Sequence, residues 1–215
     1  MARYQERFQG KKQVFLIRNG EAADAPAVMG YMSQVNRETT FLSMEAGEFE
    51  KVFSLEKETQ LLAEWAPSQY HLSLLAQTEA GEIAASCNCS YSTEKRRYRH
   101  RASLGLSVRQ DYWRQGLGRR LLEIQEGWCR SQGITKLCLE VDTSNTPALG
   151  LYLRMGFEVE GTLRREVHMA DGLVIGTCIS WLSFWMNKAK GCGPGKREPQ
   201  PFPLWEMYLC FLPCL

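Results

Sequence analysis

The sequence predicts a mixed α/β fold, a sheet covered by helices, and three observations carry the prediction. Short strand-like apolar runs alternate with longer stretches whose apolar residues recur at helical spacing. Turn signals punctuate them, with Glu79-Ala80-Gly81 and Asp171-Gly172 marking two hairpins. A glycine-bearing segment, YWRQGLGRRLL from Tyr112, joins a strand to a helix. The 215 residues suit one domain with a proper core, and 44% hydrophobic and 23% charged residues are ordinary for a globular protein.

Val14 to Arg18 (VFLIR) reads as the first strand, behind an N-terminal arm of residues 1–13. Asp24 is the expected cap of a helix with Pro26 in its first turn and Val28, Tyr31, Met32 and Val35 on one face. A second helix is expected from Leu55 to Trp65, stopped before Pro67. HLSLLAQT and EIAASCNCSY are strands of one hairpin, and Arg99 to Val108 is the next strand. Leu117, Leu121, Ile124 and Trp128 form the stripe of the following helix, which Ser131-Gln132-Gly133 ends. Ile134 to Val141 is a short apolar run, best read as a buried parallel strand. Asn145 then caps a helix, with Pro147 near its start and Gly156 just past its end. Phe157–Val167 and Leu173–Phe184 close the domain, which runs over residues 14–186. Residues 187–203 are rich in Gly, Pro and Lys and read as a linker; residues 204–215 form an apolar tail that could mediate homodimer contacts.

Bulk properties exclude several partners. A net charge of +2 gives no footprint for nucleic acid or an anionic membrane. No apolar run reaches the ~18 residues a membrane helix needs. MARYQERFQGKKQ lacks the apolar core of a signal peptide, so a cytoplasmic protein is expected. The eight cysteines show no CxxC pair and no companion histidines, so no metal is expected and buried free thiols are favoured. EKRRYRHR, Glu94 to Arg101, lies between two strands and reads as a solvated hairpin end with His100 at the surface.

Gly116 and Gly118 need a reason, because glycine at a helical position costs about 1 kcal/mol against alanine. The first amides of a helix lack intrahelical acceptors, the helix dipole adds partial positive charge, and missing β-carbons admit a phosphate oxygen. The twin glycines therefore read as a diphosphate cradle, with Arg119 and Arg120 beside it. A P-loop would need GxxxxGK[ST], and a dinucleotide fingerprint would need glycine where Leu121 stands.

Trp113-Arg114-Gln115-Gly116-Leu117-Gly118 resembles the [RQ]xxGx[GA] signature of the GNAT acyltransferases. Trp113 departs from the usual Arg or Gln and is similar to the branch that acetylates ribosomal-protein N-termini. NTPALGLYLRMGFE resembles the family's second signature through Asn145, Ala148, Tyr152, Gly156 and Phe157. The resemblance implies the acyl-CoA N-acyltransferase fold, a mostly antiparallel central sheet with one parallel strand pair and flanking helices. It implies transfer of an acetyl group from acetyl-CoA to a primary amine of a small molecule or protein. A non-catalytic acyl-CoA-binding module of the same fold is the alternative.

The resemblance also assigns roles. Tyr152 stands where the family's proton donor to the departing thiolate stands, a sulfur of reference pKa about 8.5. The backbones of Leu106, Ser107 and Val108 fall alongside the pantetheine. Arg114, Gln115, Gly116, Leu117, Gly118 and Arg119 fall around the diphosphate, and Asn145 reaches the coenzyme while capping its helix. The usual strand glutamate is replaced by Ser103, and Glu140, read as a surface or sheet-edge carboxylate, leaves the base unassigned. Asn36 to Phe49 falls where the family builds its acceptor wall.

Overall fold

The computed structural model describes residues 4–164, 166–168 and 179–185, the last group as backbone only. One eight-stranded sheet runs through them in the order β1-β2-β3-β4-β5-β6-β8-β7. The strands are β1 Gln5–Gln9, β2 Val14–Asn19, β3 His71–Thr78, β4 Ile83–Tyr91, β5 Arg101–Val108, β6 Lys136–Asp142, β7 Glu158–Leu163 and β8 Ile179–Trp185. Helices α1 Ala25–Glu38, short α2 Phe49–Val52 and α3 Leu55–Trp65 cover one face; α4 Leu117–Ser131 and α5 Thr146–Arg154 cover the other. The fold class read from the sequence is the one observed.

Local chemistry accounts for most boundaries. Ser54 caps α3, its hydroxyl accepting from the Lys57 amide at 3.2 Å. Gly81 takes φ +86° in the β3–β4 turn, and Gly133 takes φ +72° after α4, conformations that cost other residues. The α4 stripe is buried as its spacing requires. Two details differ from expectation. Asp24 does not cap α1 with its side chain, which grips the Arg18 guanidinium at 2.6 and 2.7 Å and accepts from the Glu21 amide at 2.8 Å. Arg99 and His100 lie in the turn before β5, which starts at Arg101.

Strand β1 was not detected in the sequence. QERFQ alternates exposed and half-buried residues at the sheet edge, so only Phe8 carries an apolar signal. Its full pairing with β2, Gln5↔Arg18 to Gln9↔Val14, is set by the hairpin. The proposed turn of the closing hairpin, the linker and the apolar tail lie outside the described residues.

Two cores flank the sheet. Leu72, Leu74, Cys87, Cys89, Leu104, Leu121, Trp128 and Leu137 pack with α4 and α5. Val28, Met32, Phe49, Leu62 and Leu75 pack with α1, α2 and α3. Cys87, Cys89, Cys129 and Cys138 are buried and unbridged. Among the described residues no helix is long and apolar enough to cross a membrane.

The functional consequence lies at β5 and β6, the one parallel pair among the described residues. Their ladder covers only Arg101↔Lys136, Ala102↔Leu137 and Ser103↔Cys138, although β5 continues to Val108 and β6 to Asp142. Parallel neighbours need a crossover, which α4 supplies. The strands stop pairing halfway, and a cleft takes over where the ladder ends.

Candidate active site

The cleft has a volume of about 1280 Å³. Its walls include Leu106, Ser107 and Val108 of β5, Glu140 and Asp142 of β6, the turn before α4, Asn145 just before α5 and Tyr152 within it. Thr39 to Ser43, part of the expected acceptor wall, border it too.

The glycine turn has the geometry of an anion nest. Arg114 has φ +61° and Gly116 φ +92°, so left-handed residues alternate with ordinary ones and aim successive amides the same way. Helix α4 begins at Leu117, and its first ladder bond runs from the Arg120 amide to the Gly116 carbonyl at 3.0 Å. The amides of Leu117, Gly118 and Arg119 precede that bond and lie in the unsatisfied first turn. The indole N–H of Trp113 donates to the Val108 carbonyl at 2.7 Å, tying the turn to the end of β5. Gly116 is glycine because of its φ. Gly118 is glycine because of packing, since a β-carbon there would meet Leu151 at 3.1 Å and Leu106 at 3.5 Å.

The two arginines part company. Arg119 borders the cleft, exposed, with its Nε donating to Glu123 at 3.2 Å. Arg120 turns away to β1, donating to Glu6 at 2.9 Å and to Glu123 at 3.1 Å. Gln115 also differs from expectation. Its side chain is buried at 4% exposure with Oε1 unpartnered near Gly10, so only its backbone belongs to the turn.

Asn145 caps α5, its Oδ1 accepting from the Ala148 amide at 3.2 Å, and it borders the cleft as well. Tyr152 is 6% exposed and meets Phe157 edge-on at 5.6 Å. The Ser107 hydroxyl pairs with the Tyr31 phenol at 2.8 Å, which locks β5 to α1.

Glu140 corrects the sequence reading. It lies on β6 between β5 and β8, an interior strand rather than an edge. Burial, with the nearby Glu166 charge second, pushes its carboxyl up to about 7. Sequence reasoning also missed Trp65 and His71, stacked at 5.3 Å, and Ser73, Asn88 and Ser90. Burial lowers the His71 pKa. No motif announces these residues; strand register alone assembles them.

An open α/β sheet with one parallel pair parted over a helix N-terminus is an arrangement suited to an anionic ligand at that end. The sequence model of the Acetyltransferase (GNAT) family matches residues 39–157, more than half of the chain, and the protein belongs to that family. The [Ribosomal protein bS18]-alanine N-acetyltransferase of Escherichia coli K12 is 44% identical over 63 residues, 29% of this chain and 42% of that enzyme. The aligned segment thus spans less than half the length of that relative. A GNAT-family acetyltransferase from Streptococcus pneumoniae superposes with a TM-score of 0.72 at 29% identity, covering 80% of this chain and 99% of that one. A Salmonella typhimurium protein solved with its cofactor acetyl-CoA shares the fold with a TM-score of 0.66 at 15% identity, over 85% of this chain and 99% of that one.

Proposed function

We propose that the protein is an N-acetyltransferase that moves the acetyl group of acetyl-CoA onto the α-amine of a protein or peptide. The observation that carries this reading is the pairing of a nest-like helix start with two ionisable groups, Glu140 and Tyr152, in the cleft opened by β5 and β6. The residues present fit the coenzyme. The amides of Gly116 to Arg119 suit a diphosphate, Arg119 adds charge, and the edge of β5 from Leu106 to Val108 that no longer pairs with β6 suits an amide-bearing pantetheine arm. Asn145 adds a contact at the other wall. The Salmonella protein of the same fold, solved with acetyl-CoA, supports the choice of coenzyme. The aligned ribosomal-protein N-acetyltransferase supports an α-amine acceptor.

Acetyl-CoA supplies an activated thioester carbonyl. Glu140, with its carboxyl near 7, accepts a proton from the acceptor ammonium and frees the nitrogen lone pair. An α-amine of reference pKa about 8 is close to that value, so the transfer costs about 1 kcal/mol. As the C–N bond forms and the C–S bond breaks, Tyr152 gives its phenolic proton to the sulfur. The second nitrogen proton restores Tyr152 through water, and Glu140 releases its proton to solvent. The products are CoA thiol and an N-acetyl amide.

The test is thiol release on mixing protein, acetyl-CoA and alanine-initiated peptides, read with a thiol reagent and checked by mass for a single acetyl group. Binding of acetyl-CoA with no release above background for any amine would establish the binding-module reading instead.

A further inference from the structure

The face of β3, β4 and β5 that looks toward α1 and α3 carries an unusual amount of polarity. Cross-strand register places His71 beside Ser90 and Ser103, Ser73 beside Asn88 and Gly105, and Leu75 beside Ser86 and Ser107. The opposite face of the same strands is apolar, with Leu72, Leu74, Cys87, Cys89 and Leu104 in the core. Buried hydroxyls and amides are costly unless they are bonded. Ser107 is bonded to Tyr31. Ser73, at 6% exposure, and the Oδ1 of Asn88 are buried without a hydrogen-bond partner, and both residues line the cleft. The Asn88 Nδ2 already donates to Ser86 at 3.5 Å, which leaves Oδ1 as its free end.

The same register places the base opposite them. Ser103 pairs with Cys138 in parallel, so two residues further along each strand Gly105 and Glu140 stand level and on the same face. Ser73, Asn88, Gly105 and Glu140 thus form one row across four adjacent strands. With strands about 4.8 Å apart, the Asn88 and Glu140 backbones are roughly 10 Å apart, more where β6 diverges. Gly105 has no side chain, so the row has a gap between an unsatisfied acceptor and a base. A peptide N-terminus fits that gap, since its α-amine and first peptide N–H are both donors separated by one residue.

Resting on the acetyltransferase reading, we infer that Asn88 and Ser73 read the backbone N–H and C=O of the acceptor's second residue, so that the substrate class is an α-amino peptide rather than a polyamine. The Oδ1 of Asn88 accepts the first peptide N–H while Glu140 faces the α-amine, and the Ser73 hydroxyl, next in the row, donates to the carbonyl of the second residue, which points the same way as that N–H in an extended chain. Charge agrees with this choice. The carboxylates that line the cleft, Glu140, Asp142 and Glu166, belong to or adjoin β6. Among the described residues the row beyond Gly105 offers neutral groups only, with no anion for the second ammonium of a polyamine.

The test compares an alanine-initiated peptide with its analogue in which the first amide is an ester, which keeps the amine and carbonyl but lacks the N–H. The native protein is expected to lose about tenfold in kcat/KM on the ester, the effect of one buried neutral hydrogen bond. Asn88→Ala is expected to lose about tenfold on the amide and nothing further on the ester, with the acetyl-CoA KM unchanged. Ser73→Ala should raise the KM of both substrates alike. Equal use of amide and ester by the native protein, an equal loss on both by Asn88→Ala, or better turnover of spermidine than of peptide overturns the inference. Acetyl-CoA binding with no acetylation of any amine instead overturns the acetyltransferase reading beneath it.

Discussion

Glu140→Gln separates a catalytic base from a buried bystander. The carboxyl titrates at about 7 because burial disfavours its charge and Glu166 adds to the penalty. A base acts only when ionised. The active fraction is about a tenth one unit below that value and about nine tenths one unit above it, so kcat/KM should rise about tenfold across the interval. The amide cannot ionise, so the variant should lose this inflection together with about 10²- to 10³-fold in turnover, the usual weight of general-base help. Without the base the variant must take its acceptor as the free amine, so its residual rate should rise near pH 8 instead. Initial rates of thiol release across pH, with acetyl-CoA affinity followed by calorimetry, read all of these quantities. A variant that keeps the inflection near pH 7, or loses less than about threefold in rate, would show that Glu140 is not the base.

Tyr152→Phe should lower turnover by about 10²-fold while leaving acetyl-CoA affinity nearly intact, and an equal loss of affinity would reduce Tyr152 to packing against Phe157. Gly116→Ala forces a β-carbon into φ +92°, with Phe8 3.3 Å away, so it should cost about 1–2 kcal/mol of stability and weaken acetyl-CoA binding, both measurable by thermal melts with and without coenzyme. Glu58 is 0% exposed, both its oxygens lack partners, and burial pushes its carboxyl from an ordinary 4.5 up to about 7. The folded state then binds this proton more tightly than the unfolded chain, so the contribution is whole below the ordinary value and is lost as pH rises through 7. Stability should fall by about 3 kcal/mol over that window, and Glu58→Gln should remove that part of the slope in urea titrations. Amide exchange over Leu104–Val108 should slow on adding acetyl-CoA, because these residues lie past the last β5–β6 pair; unchanged exchange would argue against pantetheine alongside β5.

The parts of the molecule legible in the sequence are those written in neighbouring residues. The α4 stripe, the Gly81 turn, the Asn145 cap and the glycine turn each depend on contacts within a few positions. Gly118 was legible as an oddity, but its physical reason, Leu151 at 3.1 Å from a would-be β-carbon, belongs to a helix on the far side of β6. Arg119 and Arg120 are indistinguishable as letters, and only the salt bridge from Arg120 to Glu6 across the molecule shows which one leaves the cleft. Strand β1 was missed because an edge strand needs little apolar surface. Glu140 was misplaced for a related reason. A charged residue in an apolar run looks like a strand reaching solvent, whereas here Glu140 faces a cleft between strands.

The interrupted ladder explains why these features occur together. A parallel pair that stayed bonded to its end would bury Glu140 in a continuous sheet, where an ionisable carboxyl at that depth would only destabilise the fold. Parting the strands after Ser103 and Cys138 gives that carboxyl room for a partner and frees backbone groups on β5. It also places both near the helix start to which β5 leads. Such groups are expensive when empty and favourable when filled, so coenzyme and acceptor would each satisfy polarity that the polypeptide leaves open. The unpartnered Ser73 and Asn88 extend the same logic to the acceptor side, one strand pair further from the break. The cleft is thus set by where one sheet stops bonding to itself, and residues far apart in the chain acquire related roles because register places them level with that point.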